Sequence, residues 1–281
     1  MDGKPVIIRG LAEIAGDYDA LICDVWGVVH NGVRAFDPAV AALKRFRRER
    51  GRVVLLTNAP RLPSGVEALL PNYGVPLDCY DTIVTSGGAA RDHLARSAAR
   101  ARLPVFFLGP DRDLGFFAGL DVELCGPENA SLVLCGGLYD DDKETPEDYR
   151  EILAGLKARG LPMICANPDV VVQRGGKLVW CAGGLARAYE EIGGEVTYYG
   201  KPHAPIYDVA LAAAGNPGRP LVIGDGLETD IRGANMRGID ALFVAKGIHA
   251  GELGGLTPDN LARLFARSGV EARAAMEELT W

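Results

Sequence analysis

Four short segments carry oxygen-rich or cationic side chains of the kind that a phosphoryl group and a metal ion require. Asp24 ends the run Ala20-Leu21-Ile22-Cys23-Asp24, and Thr57 and Asn58 end the run that begins at Val53. Gly200-Lys201-Pro202 comes much later, and Gly224-Asp225-Gly226-Leu227-Glu228-Thr229-Asp230 follows a last apolar run. Two carboxylates, Asp24 and Asp225, suit a hard cation such as Mg²⁺, which takes oxygen ligands and keeps several waters. Thr57 offers a hydroxyl, and Asn58 a backbone N–H, to phosphate oxygens. Lys201 supplies a point charge that neutralises a carboxylate nucleophile and a phosphate dianion together. Taken singly the segments are weak, since many strands end in Asp and Gly-Lys-Pro is an ordinary turn. In this order they describe a phosphate-plus-metal site.

These residues need elements that bring them to one edge. Residues 20–24, 53–58 and 221–225 are short, almost wholly apolar runs that end in polar groups, as strands buried on both faces of a parallel sheet do. A helical pattern from Pro38 to Arg50 places Val40, Leu43 and Phe46 on one face, with Asp37 expected at the N-cap and Pro38 at the first helical position. Alternation of strand and helix predicts an α/β fold, a doubly wound parallel sheet whose ligands bind beyond the carboxyl ends of the strands. A second series runs from about 106 to 196. Its expected strands are Val105–Leu108, Ser131–Cys135, Pro162–Ala166 and Leu178–Trp180, and its expected helices Pro146–Arg159 and Leu185–Ile192. At 281 residues the chain is long for one domain, which agrees with an inserted α/β unit.

The ordered segments resemble the haloacid dehalogenase (HAD) superfamily, and within it the class IIA phosphatases of the NagD and p-nitrophenyl phosphatase type. Gly224-Asp225 with Thr229-Asp230-Ile231, Ala234 and Gly238 is similar to the fourth motif of that superfamily. Ala166-Asn167-Pro168-Asp169 is similar to an Asn-Pro-Asp segment of its caps. The resemblance implies a discontinuous Rossmann-like core over 1–92 and 196–281, with a C2-type α/β cap over 93–195. It implies that Asp24 attacks phosphorus to give an aspartyl-phosphate that water then hydrolyses. Mg²⁺ would be held by Asp24, Asp225 and the backbone carbonyl of Trp26, with Asp230 orienting the ligands. Asn167 and Asp169 would touch the substrate, a small phosphorylated metabolite, and caps would pair in a homodimer.

One position departs from the pattern. The first motif of the superfamily is Asp-x-Asp-Gly, whereas this chain reads Asp24-Val25-Trp26-Gly27. The second Asp is the general acid and base, and an indole N–H neither accepts nor delivers a proton near neutral pH. The metal's backbone ligand survives this change, but proton transfer does not. A general acid–base group contributes roughly 10²–10⁴-fold in rate, so alkyl phosphates suffer most, and esters whose leaving groups depart as stable anions suffer least. His30 and Glu228 are candidates to replace the missing group, and both His30 and Trp26 are candidates to touch substrate. The second motif reads Thr57-Asn58-Ala59-Pro60, with Ala59 where relatives often carry Asn. A catalytically impaired relative that binds a phosphometabolite as sensor or scaffold is the alternative reading. Retention of Asp24, Lys201 and Asp225 argues against it, and the intact Gly224-Asp225 argues against metal-free dehalogenation.

Composition narrows the partners. The net charge of −7 gives no electrostatic reason to expect nucleic acid or an anionic membrane surface. No apolar run approaches the roughly 20 residues of a membrane span, and no secretory signal is evident at the start. The six cysteines (Cys23, Cys79, Cys125, Cys135, Cys165 and Cys181) form no Cys-x-x-Cys pair and read as reduced core thiols of a cytoplasmic protein. Asp140-Asp141-Asp142 precedes an expected helix and reads as a solvated loop.

Overall fold

The computed structural model describes residues 6–99, 101–174 and 177–281. The chain divides into two compact units: one holds residues up to Thr57, Ser64–Val84 and Lys201–Trp281, and the other Asn58–Pro63 and Thr85–Gly200.

The first unit is built on a seven-stranded sheet in the spatial order 6–7, 274–276, 240–244, 220–224, 20–24, 52–57, 82–85. Pairings from Val6–Ile7 across to Arg52–Thr57 are parallel. All five residues of Ala20–Asp24 are buried, because the strand lies near the middle of the sheet with cover on both faces. Its register sets Asp24 opposite Leu56 and Cys23 opposite Ile223, so Asp24, Thr57 and Asp225 emerge at the same sheet edge. The helix expected from Pro38 spans Asp37–Glu49 and buries Ala39, Ala42, Leu43 and Phe46. Asp37 is its first residue rather than its cap. Phe36 takes the extended cap position and no side chain bonds the free N–H groups, which leaves the Asp37 carboxylate in the first turn, where the helix dipole favours it.

The second unit has a parallel five-stranded sheet in the order 196–198, 163–165, 132–135, 103–108, 122–124, plus an antiparallel hairpin of Val171–Arg174 with Lys177–Trp180. The Leu178–Trp180 strand therefore belongs to the hairpin and not to the main sheet. The helix expected over 146–159 is a 3₁₀ turn at Pro146–Tyr149 that continues as an α-helix through Ala158. At its start the N–H and hydroxyl of Thr145 both donate to the Asp148 carboxylate. Leu108, Val133, Leu153, Leu156, Leu185 and Tyr189 lie in one core cluster.

The units divide at 85 and 200, not at 93 and 195, and residues 58–63 join the inserted one. The helix Ser86–Ala98 accounts for the earlier boundary. Arg91 on it donates to the carbonyls of Phe116 and Ala118, and Gly87 N–H donates to the Ala59 carbonyl. Glycine is needed at 87, where a Cβ would lie 1.9 Å from the Pro60 carbonyl oxygen. Among the described residues no helix is long and apolar enough to cross a membrane. The six cysteines are free thiols, four of them buried.

Candidate active site

Three buried carboxylates converge in the first unit. Asp24, Asp225 and Asp230 each present an oxygen within 4.8 Å of the others. Lys201 Nζ, itself buried, lies 2.5 Å from Asp24 Oδ1 and 2.8 Å from Asp230 Oδ1, and it also donates to the Leu56 carbonyl at 3.4 Å. Burial pushes the Asp24 carboxyl well above the usual carboxylate range. The Lys201 ammonium opposes that shift, while Asp230 and Asp225 add to it. Asp225 is pushed up to about 6, chiefly by burial and then by Asp230. Burial works against the charge on Lys201, but Asp230 and Asp24 together outweigh it and push its pKa up. Three carboxylates thus face one ammonium, a formal deficit of two positive charges in a site shielded from water.

Backbone geometry fixes each carboxylate. Asp225 Oδ2 accepts the Ile248 N–H at 2.8 Å. Gly27 (φ +86°) lies against the same oxygen, and a Cβ there would fall 2.3 Å from it, in a conformation that L side chains avoid. Asp230 Oδ2 accepts the Gly226 N–H at 3.1 Å while Oδ1 accepts from Lys201, so both of its oxygens are engaged by protein donors. It sits on a π-helical turn, Leu227–Ile231, where Ile231 N–H reaches back five residues to the Gly226 carbonyl. Such turns recur at functional sites because the extra residue re-aims a side chain. Asp230 is therefore buried and paired with Lys201, not a surface carboxylate at a helix end.

The two candidates for a replacement acid and base fare differently. Glu228 is exposed and ion-paired with Arg232 at 2.6 Å. His30 is 4% exposed, and burial lowers its pKa to about 4. Its Nδ1 accepts the Gly32 N–H at 2.9 Å, and its ring lies against Tyr73 (centroids 4.8 Å apart) and edge-on to Trp26 (5.5 Å). At pH 7 this imidazole is neutral and has no proton to give from Nδ1.

In the second unit Asn58, Asn167 and Asp169 form one network. Asn58 Nδ2 donates to Asp169 Oδ1 at 2.8 Å, and the Asp169 N–H donates to Asn167 Oδ1 at 3.0 Å. Sequence reasoning placed all three as substrate contacts but not their mutual bonding. It also missed Gly27, Gly247 and Ile248 around Asp225. At Gly247 a Cβ would come 1.9 Å from Asp225 Oδ2, and the segment's only sequence signal was its glycine after a strand. In the Asp140–Asp142 loop, Asp140 pairs with Lys143 and Asp141 with Arg112.

Residues 21–123 match the haloacid dehalogenase-like hydrolase family, and residues 198–267 match the HAD-hydrolase-like family. A crystal structure of a haloacid dehalogenase-like hydrolase from Brucella suis is 42% identical, with a TM-score of 0.81 over 98% of this chain and 100% of that one. The ribonucleotide monophosphatase NagD of Escherichia coli is 27% identical over 81% of this chain and 88% of its own. D-glycerol 3-phosphate phosphatase of Mycobacterium tuberculosis is 26% identical over 85% of this chain, which spans 66% of that enzyme's length. Solved structures of glycerol phosphate phosphatase from that organism, in complex with calcium and with magnesium, each align with a TM-score of 0.66. They are 27% and 26% identical and cover 84% and 86% of this chain, and 68% and 71% of theirs. The chain belongs to the haloacid dehalogenase-like hydrolases, in the NagD-like class IIA branch, and its enzyme class is that of the phosphoric monoester hydrolases.

Proposed function

We propose that the chain is a Mg²⁺-dependent phosphatase that hydrolyses a small phosphorylated metabolite through an aspartyl-phosphate on Asp24, and that it favours leaving groups that depart as stable anions. The observation that carries this is the Lys201 ammonium held between Asp24 and Asp230 inside the buried carboxylate cluster. The donor set fits a divalent ion, since its deficit of two positive charges is what such an ion supplies and its oxygen ligands are those a hard cation takes. Asp24, Asp225 and the Trp26 carbonyl would hold it, and when bound it neutralises charge on the transferring phosphoryl group. Asp230 orients Lys201, and Lys201 orients Asp24 while lowering the cost of bringing two anions together. The Asp24 carboxylate then displaces the ester oxygen from phosphorus. That oxygen leaves as its own anion because Trp26 offers no proton, and a water subsequently cleaves the acyl phosphate to regenerate Asp24. Thr57 and the Asn58 N–H bind phosphate oxygens. His30 braces the Trp26 ring and transfers no proton.

Trp26 also motivates a second reading, a phosphometabolite sensor that turns over little or nothing. The two are separated by assaying aryl and alkyl phosphates with Mg²⁺. Aryl phosphate turnover that falls at least roughly 10³-fold in Asp24→Asn supports the phosphatase. No turnover of either ester by the native protein, with turnover gained in Trp26→Asp, supports the sensor. Trp26→Asp is expected to speed alkyl phosphate hydrolysis by roughly 10²-fold or more; no acceleration sinks the account of the missing acid and base.

A further inference from the structure

Trp26 is 52% exposed although it lies two residues from the nucleophile, and its indole is not loose. The ring is set edge-on against His30, itself braced by Tyr73, and its six-membered part fits over Gly32, where a Cβ would lie 2.2 Å from Cη2. Val33, next to Gly32, is 79% exposed, and Ile248 is 69% exposed. The Ile248 N–H bonds the Asp225 oxygen that Gly27 packs against, so the backbones flanking Trp26 and Ile248 meet at one carboxylate of the site.

We propose that Trp26, with Ile248 and Val33 beside it, is a specificity-determining platform for a planar aromatic group on the phosphorylated substrate, a deepening that rests on the phosphotransfer reading of Asp24. Two independent features converge on this class. A ring already held by its neighbours loses little freedom when a second ring packs on it, and such aromatic pairs favour offset or edge-on stacking. Val33 and Ile248 offer no hydrogen-bonding side-chain atom to a charged or hydroxyl-rich group, and the indole offers a single N–H donor. Chemically, an aryl ester is the monoester least in need of a general acid, because its phenolate departs unassisted. The indole thus replaces proton transfer with recognition of the leaving groups that can do without it.

The test measures binding, independent of turnover. Asp24→Asn protein with Mg²⁺ is titrated calorimetrically with 2-naphthyl phosphate and with propyl phosphate, alone and combined with Trp26→Ala, Trp26→Phe or Ile248→Ala. The expected result is at least about tenfold tighter binding of the naphthyl ester. Trp26→Ala should abolish that preference by weakening the naphthyl ester alone, Trp26→Phe should keep most of it, and Ile248→Ala should reduce it. Equal affinities in the Trp26 protein, no binding of either ester, or equal weakening of both by Trp26→Ala overturns the platform. Native protein without Asp24-dependent hydrolysis, beside an intact naphthyl preference, would instead overturn the phosphatase reading alone.

Discussion

His30 shows how much a single buried ring constrains its neighbourhood. It is neutral in the folded protein down to about pH 4, whereas an unfolded histidine titrates near 6.5. A depressed folded pKa means the unfolded chain binds the proton first, so stability is complete above pH 6.5 and falls as the pH drops from there toward 4. Between pH 7.5 and pH 5 this one group should cost about 2 kcal/mol. Urea denaturation at both pH values, for native protein and His30→Asn, measures the difference, and equal pH dependence in the two would refute it. Gly27 gives a second prediction. In Gly27→Ala the methyl group meets Asp225 Oδ2 from a backbone that L residues avoid, so Mg²⁺ affinity measured calorimetrically should fall about tenfold or more. Gly16→Ala, with open space around the new methyl, should leave that affinity unchanged.

Elements hold these residues by their ends. The Thr85 hydroxyl accepts the Gly88 N–H at 2.9 Å and starts the helix Ser86–Ala98 at the point where the chain enters the inserted unit. Thr85→Ala should cost about 1 kcal/mol in urea denaturation, and Thr85→Ser should recover most of it, because the oxygen and not the methyl satisfies the free N–H groups. The strands that end in Asp24, Thr57 and Gly224 were legible from their unbroken apolar runs, which only a sheet covered on both faces buries. Val122–Leu124 and Val196–Tyr198 were not, since three-residue edge strands carry too little pattern. The π-helical turn at Leu227–Ile231 was likewise illegible, because nothing in the residue types announces the five-residue bond from the Ile231 N–H to the Gly226 carbonyl. The Asp225 cradle was missed for a related reason. It is built from backbone N–H groups and absent side chains, which residue types do not announce.

Across the whole molecule the charge deficit of the first unit has a thermodynamic consequence. A cation that binds the folded carboxylates and not the unfolded chain stabilises by about 2.7 kcal/mol at one hundred times its Kd. Scanning calorimetry should therefore show the first unit's transition rise with Mg²⁺ and return on chelation, and Asp225→Asn should blunt the rise. An unchanged transition would mean that the cluster relieves its repulsion by protonation instead. The order of motifs was enough to read the fold class and the cluster itself. The allegiance of residues 58–63 was not legible, because it depends on contacts with residues distant in the chain, such as the bond from Asn58 to Asp169 across more than a hundred positions. That bond bears on modularity. A recombination that exchanges 85–200 alone as one cassette would leave Asn58 behind with a foreign partner, so transfer of the whole inserted unit takes two exchanged segments, 58–63 and 85–200. Chimaeras that carry 58–63 along with 85–200 should fold and retain ligand preference where single-cassette grafts do not.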